Sequence, residues 1–103
     1  MTTNVKSVYE ELGYANADEM LIKARLMTEI ADQLKRRQYT QTEAAALLGF
    51  SQPKLSNLLR GQFRGVSEKK LMECLTKLGR DIEIVIKAAP RSRRAGKISV
   101  AVA

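Results

Sequence analysis

The sequence predicts a mainly α-helical fold, a bundle of four to five helices followed by one β-strand near the C-terminus. Apolar residues recur at helical spacing from residue 20 to residue 34. Three later stretches each begin with Ser or Thr, which cap helices, and end at Gly, which stops them. Aromatic residues make up only 5 % of the 103 residues and Trp is absent, which favours helices over a β-sandwich.

The first long helix is predicted to begin at Asn16. Asn can cap a helix, and Glu19 stands three residues later, as in a capping box. Two apolar ridges follow at helical spacing, formed by Met20, Ala24, Met27, Ala31 and Leu34 and by Ile22, Leu26 and Ile30. Before this helix, residues 1–15 form an N-terminal extension, in which one or two helical turns around Val8, Tyr9 and Leu12 are predicted to end at Gly13.

Three short helices are predicted to follow, each with its own start and stop signal. Their caps and stops are, in order, Thr40 with Gly49, Ser51 with Gly61, and Ser67 with Gly79. Glu43 completes a capping box with Thr40, and Pro53 is tolerated in the first turn of the helix capped by Ser51. Residues 16–80 are therefore expected to form one helical domain.

The period of the pattern then changes from 3.6 to 2 in residues 81–87, which predicts a strand. Ile82, Ile84 and Ile86 share one side of it. A lone strand cannot satisfy its own backbone groups, so we expect it to pair with its twin in a second subunit. The N-terminus and the C-terminal tail are alternative partners. Residues 88–103 are expected to be a basic, mobile tail.

Composition narrows the possible functions. The net charge of +7 favours an anionic partner such as nucleic acid. The chain has no His and no Cys/His spacing for zinc, so we expect neither an enzyme nor a metal or other cofactor. Cys74, the single cysteine, fits a reducing compartment and a buried apolar position. Without a signal peptide or a membrane-spanning run, a cytoplasmic protein with no membrane role is expected.

The two helices in residues 40–60 have the pattern of a helix-turn-helix. Two short capped helices separated by about three residues are typical of that motif. Ala45 is small enough for the second helix to approach closely, and Gly49 stands at the turn, where a positive φ is often required. Leu55 and Leu58 are predicted to hold the second helix against the core.

With Leu55 facing inward, polar side chains occupy the outer face and flanks of the second helix. We predict base contacts from Gln52, Lys54, Ser56 and Asn57, and phosphate contacts from Gln41, Ser51, Arg60 and Arg64. Gln and Asn can each donate to and accept from the edge of adenine, whereas Lys favours guanine or phosphate. The reading unit is expected to be the N-terminal half of this helix.

Residues 40–61 resemble the Xre/Cro family of phage-repressor-like regulators, in which the form TQxEAAxLLGxSQPxxSxLLRG is quite specific. The sequences on either side, EMLIKA at residues 19–24 and LGRDIEIVI at residues 78–86, are similar to those of HigA-type antitoxins. This resemblance covers roughly residues 8–87. It implies a lambda-repressor-like bundle, although the family usually has a fifth helix where this chain has the predicted strand.

The resemblance implies a homodimer that binds double-stranded DNA at a palindromic operator and represses transcription. In the toxin-linked branch, the same polypeptide also represses its own operon and neutralises a RelE/HigB-like toxin. A phage-type repressor without a toxin and a protein-interaction module that binds no DNA are the alternatives. The sequence leaves these three open.

Overall fold

The computed structural model describes residues 11–103, with side chains from residue 18 onward. Four helices lie in this part of the chain: α1, Glu11–Arg36; α2, Gln41–Leu48; α3, Gln52–Leu59; and α4, Glu68–Lys77. The predicted mainly helical fold class is confirmed. Most of the predicted N-terminal extension, including the turn expected around Val8 and Tyr9, lies outside the described residues.

Helix α1 is longer than the sequence pattern predicted. It is already helical at Glu11 and passes through Gly13 and Asn16, so Asn16 is not its N-cap. A helix that is already propagating gains a backbone hydrogen bond with each further residue, which outweighs a side-chain cap in its interior. A single Gly costs only about 1 kcal/mol and does not stop it.

The three short helices begin directly after the capping residues from which their starts were predicted, Thr40, Ser51 and Ser67. Thr40 and Glu43 form the predicted capping box, with Glu43 N donating to Thr40 Oγ1 at 3.1 Å and Thr40 N donating to Glu43 Oε1 at 2.9 Å. The Oγ of Ser51 accepts a hydrogen bond from Lys54 N at 3.2 Å. The Oγ of Ser67 accepts one from Lys70 N at 3.0 Å. These bonds satisfy amide groups that the first helical turn leaves without partners.

The core lies between α1 and α4, with α2 and α3 packed against them. Its buried apolar residues are Leu26, Met27, Ile30, Leu34, Ala44, Ala45, Leu48, Leu55, Leu58, Val66, Leu71, Cys74, Leu75 and Leu78. Cys74 is buried as predicted, and this burial raises the pKa of its thiol above the ordinary 9.0. The core therefore fixes α2 and α3 on a rigid base.

The strand predicted for residues 81–87 is not present in the described chain. Residues 81–89 take part in none of the backbone hydrogen bonds found within residues 11–103. Ile84 and Ile86 are 80 % and 93 % exposed. Alternation of side chains favours an extended backbone, but a strand also needs a neighbouring chain to pair with. Farther on, Val100 packs against the core, so the tail is not wholly solvated.

Candidate nucleic-acid interface

The turn between α2 and α3 is made by three residues, Gly49 to Ser51. Gly49 has a φ of +80°, in the left-handed region that favours glycine. The amides of Gly49 and Phe50 both donate to the carbonyl oxygen of Ala45, at 2.9 and 3.0 Å. The ammonium of Lys70 on α4 lies 5.1 Å from the centre of the Phe50 ring. The turn is thus held both by its own backbone and by α4.

Helix α3 presents a polar face on the side away from the core. Leu55 and Leu58 are 0 % and 1 % exposed and hold the helix from within, as predicted. Gln52, at the N-terminal end of α3, is exposed, whereas Ser56 and Asn57 on the outer side are half-buried. Three of the four predicted base-contact residues therefore keep surface that is accessible to solvent.

Arg60, the residue after α3, folds back over this polar face. One terminal nitrogen of its guanidinium donates to Ser56 Oγ at 2.9 Å. The other donates to Asn57 Oδ1 at 2.5 Å. Arg60 was predicted to contact phosphate, and these bonds show a further role that the prediction missed. The spacings of three and four residues that place such side chains side by side on a helix were visible in the sequence.

Lys54, the fourth predicted base-contact residue, is directed toward the loop between α3 and α4. Its Nζ donates to the carbonyl oxygen of Arg64 at 3.1 Å. A Cβ added at Gly65 would come within 3.2 Å of the same Nζ, so the loop passes close to this ammonium. Lys54 therefore connects α3 to the segment that carries Arg64.

The predicted phosphate contacts are exposed residues at the ends of α2 and α3 and in the loop after α3. Gln41 is the exposed first residue of α2, and Ser51 caps α3. Both stand at helix N-termini, where free amide groups and the helix dipole attract anions. Arg64 is exposed in the loop after α3. Residues 51–67 contain Lys54, Arg60 and Arg64 and no Asp or Glu, so this surface is locally cationic.

Within the described residues, no cluster of three or more His, Cys, Asp or Glu side chains could hold a metal ion. None of the four helices is long and apolar enough to cross a membrane.

A rigid turn, a second helix held by leucines and a cationic polar outer face together define a helix-turn-helix domain, a class of DNA-binding module. A family model described as a helix-turn-helix domain matches residues 8–87. A solved structure described as “Putative XRE Family Transcriptional Regulator” has a TM-score of 0.77 and 42 % sequence identity. That match covers 85 % of this chain and 99 % of the other. A search of curated proteins gave no match.

The chain therefore belongs to the helix-turn-helix domain family and is of the XRE type.

Proposed function

We propose that this protein is a sequence-specific transcriptional repressor that acts as a homodimer on a palindromic operator in double-stranded DNA. The observation that carries the proposal is the accessible polar surface of α3, with Gln52 at its N-terminal end and Ser56 and Asn57 on its outer face, in a segment whose charged residues are all cationic. Gln and Asn are among the side chains best suited to the hydrogen-bonding edges of bases. Such a protein acts where the DNA is, which fits the cytoplasmic location expected from the sequence.

The dimensions of α3 suit the major groove. An α-helix with its side chains is about 10–12 Å across, close to the width of that groove, and the eight residues of α3 extend about 12 Å along its axis. The N-terminal residues of a recognition helix usually meet the base edges, which assigns Gln52 and its neighbours to bases. Gln41 and Ser51 would then face the phosphates on either side of the groove, as the N-termini of helices do in other nucleic-acid complexes.

The proposed operator binding is tested with DNA from upstream of the gene. Gln52→Ala combined with Asn57→Ala should weaken binding at least tenfold, since a base contact contributes about 1–3 kcal/mol of discrimination. The control is Glu73→Ala combined with Thr76→Ala, two exposed polar residues of α4. Unchanged binding by the first pair in a gel-shift titration would show that α3 is not the recognition helix.

The homodimer is proposed from the exposed segment of residues 81–87. Ile82, Ile84 and Ile86 alternate with polar residues and Val85, and Ile84 and Ile86 are almost entirely exposed. Pairing of this segment with its twin would satisfy the free backbone groups and cover the isoleucines. Two recognition helices could then be held about 34 Å apart, the separation of two half-sites on one face of DNA.

The dimer is tested by substituting one side of the segment at a time. Ile84→Lys should shift the protein toward monomer in light scattering or sedimentation, because it places a charge on the proposed apolar face. Val85→Lys adds the same charge on the opposite side of an extended chain and is the matched control. Equal effects of the two substitutions would argue against a paired segment.

Neutralisation of a RelE/HigB-like toxin is the finer part of the proposal and is supported by the similarity of residues 19–24 and 78–86 to HigA-type antitoxins. Exposed apolar residues outside the core, such as Leu21 at 64 %, leave surface for a partner. Co-expression with the product of the adjacent reading frame tests this role. Rescue of growth and co-purification would support it, whereas a neighbour with no toxicity would favour the phage-type repressor.

A further inference from the structure

Arg60 fixes the orientation of the Asn57 amide. The guanidinium carries only hydrogen-bond donors, so the amide atom that faces it must be the oxygen, Oδ1. The amide NH2 group consequently points away from Arg60. The same guanidinium also donates to Ser56 Oγ, so this fork of two terminal nitrogens is held at two points. The contact orders the Asn57 side chain without any ligand.

The contact also makes Asn57 Oδ1 a poor acceptor for DNA. One side of the oxygen is occupied by Arg60, and an amino group approaching from a base meets the full positive charge of the guanidinium. No acidic residue between Ser51 and Ser67 offsets this charge within the segment. The NH2 group of Asn57 is not affected in this way and remains available as a donor.

The bases differ in what they offer to such a side chain. Adenine pairs with an Asn that donates to N7 and accepts from N6, and cytosine offers only its N4 donor in the major groove. Guanine offers two acceptors, N7 and O6. Thymine offers a single acceptor, O4, beside its apolar methyl group. A side chain that can donate but hardly accept therefore discriminates against adenine and cytosine, and the two acceptors of guanine favour guanine over thymine.

We propose that Arg60 determines specificity by holding Asn57 Oδ1, so that the position read by Asn57 is guanine rather than adenine. This inference rests on the proposed function, since it takes α3 to be the recognition helix. Arg60 acts as a positioning residue through Asn57. The hydrogen bonds of Arg60 go to Ser56 and Asn57, so Gln52 lies outside the fork and should keep its capacity to read adenine.

The test is selection of binding sites from a randomised duplex library by the full-length protein. The position read by Asn57 is identified as the one that Asn57→Ala relaxes. There the wild type should enrich guanine, and Arg60→Ala should shift the preference toward adenine by about tenfold. Arg60→Lys should give an intermediate preference, because a single ammonium cannot donate to both Ser56 and Asn57 with the fixed geometry of a guanidinium.

Two controls separate base preference from charge and folding. Arg64→Ala removes the same charge from the same surface and should weaken binding without changing the preferred bases. The position read by Gln52 should be unchanged by either arginine substitution. Because Arg60 is exposed, its variants should keep the wild-type circular dichroism spectrum and melting temperature.

The outcomes distinguish this inference from the proposed function. In one outcome, the wild type and Arg60→Ala each enrich an operator with the same base at the position read by Asn57. That result would overturn the role of Arg60 and leave the proposed repressor function standing. Any base other than guanine at that position in the wild type would do the same, as would an Asn57→Ala variant that relaxes no position. If the wild type enriches no sequence at all, the proposed function fails and the inference with it.

Discussion

The side-chain ammonium of Lys54 in α3 donates a hydrogen bond to the main-chain carbonyl oxygen of Arg64, 3.1 Å away. This bond crosses from the recognition helix to the loop that follows it. It fixes the place from which Arg64 extends into solvent beside the polar face. The position of a predicted phosphate contact thus depends on a residue that was itself predicted to contact bases.

Lys54→Met should weaken operator binding by about tenfold while changing the free energy of unfolding by less than about 1 kcal/mol. The stability effect is small because the freed carbonyl can bond to water, whereas the affinity loses a charge and an ordered loop. Titrations by fluorescence anisotropy measure the affinity. Lys35→Met in the last turn of α1 is the charge-matched control, and an equal loss of affinity in both variants would mean that only net charge matters.

The affinity for DNA should fall steeply with salt. A dimer with about ten phosphate contacts releases counterions on binding, so the slope of log K against log salt should lie near −9. Arg64→Ala should reduce the magnitude of that slope by about 2, one contact for each protomer. A slope that does not change in this variant would remove Arg64 from the phosphate contacts.

Leu55→Ala should destabilise the fold by about 2–5 kcal/mol, because Leu55 is fully buried at 0 % exposure and its loss leaves a cavity under α3. Leu21→Ala makes the same chemical change at a position that is 64 % exposed and should cost less than about 0.5 kcal/mol. Urea denaturation measures both. Similar costs at the two positions would contradict the described packing of α3.

Gly49→Ala should cost about 1–2 kcal/mol of stability. A Cβ there would meet nothing closer than the Lys70 Nζ at 3.4 Å, so the cost comes from the left-handed backbone, with φ at +80°. Gly96→Ala is the control, because a Cβ at Gly96 meets nothing within 4 Å and the backbone there has no positive φ. Thermal denaturation measures both variants. Gly49→Ala should melt below the wild type and Gly96→Ala should melt with it, and equal melting temperatures of the two variants would contradict the prediction.

Alkaline pH should destabilise the fold in part through Cys74. Burial raises the pKa of its thiol above 9.0, so the unfolded chain loses this proton before the folded chain does. The contribution is fully present below the unfolded pKa and is lost as the pH rises through the folded pKa. Cys74→Ala should therefore show a shallower decline in unfolding free energy above about pH 8 than the wild type.

The short helices could be predicted because their signals are local. A cap such as Thr40 or Ser51 bonds to an amide only three residues away, and Gly49 meets a backbone requirement of its own position. The same local signal misplaced the start of α1 at Asn16, since it contains no information about whether the preceding residues are already helical. The strand at residues 81–87 was predicted wrongly for a similar reason. Alternation of side chains is a local signal, and it does not show whether a partner strand is present.

The polar face was predictable in part. Helical periodicity was enough to place Ser56 and Asn57 on the outer face and Gln52 on a flank near the N-terminal end, and the hydrogen bonds of Arg60 follow from spacings of three and four residues. The bond from Lys54 to Arg64 could not be found in this way. It joins residues ten apart and depends on the path of the loop around Gly65, which no periodic pattern describes.

The exposed segment of residues 81–87 has a consequence for how strongly the protein responds to its own abundance. In the proposed dimer, this segment must find its twin before two recognition helices can reach two half-sites together. At low abundance, the population of dimers rises with the square of the monomer concentration, as mass action requires. A doubling of the protein would then quadruple the species that occupies the operator, so repression would set in over a narrow range of expression.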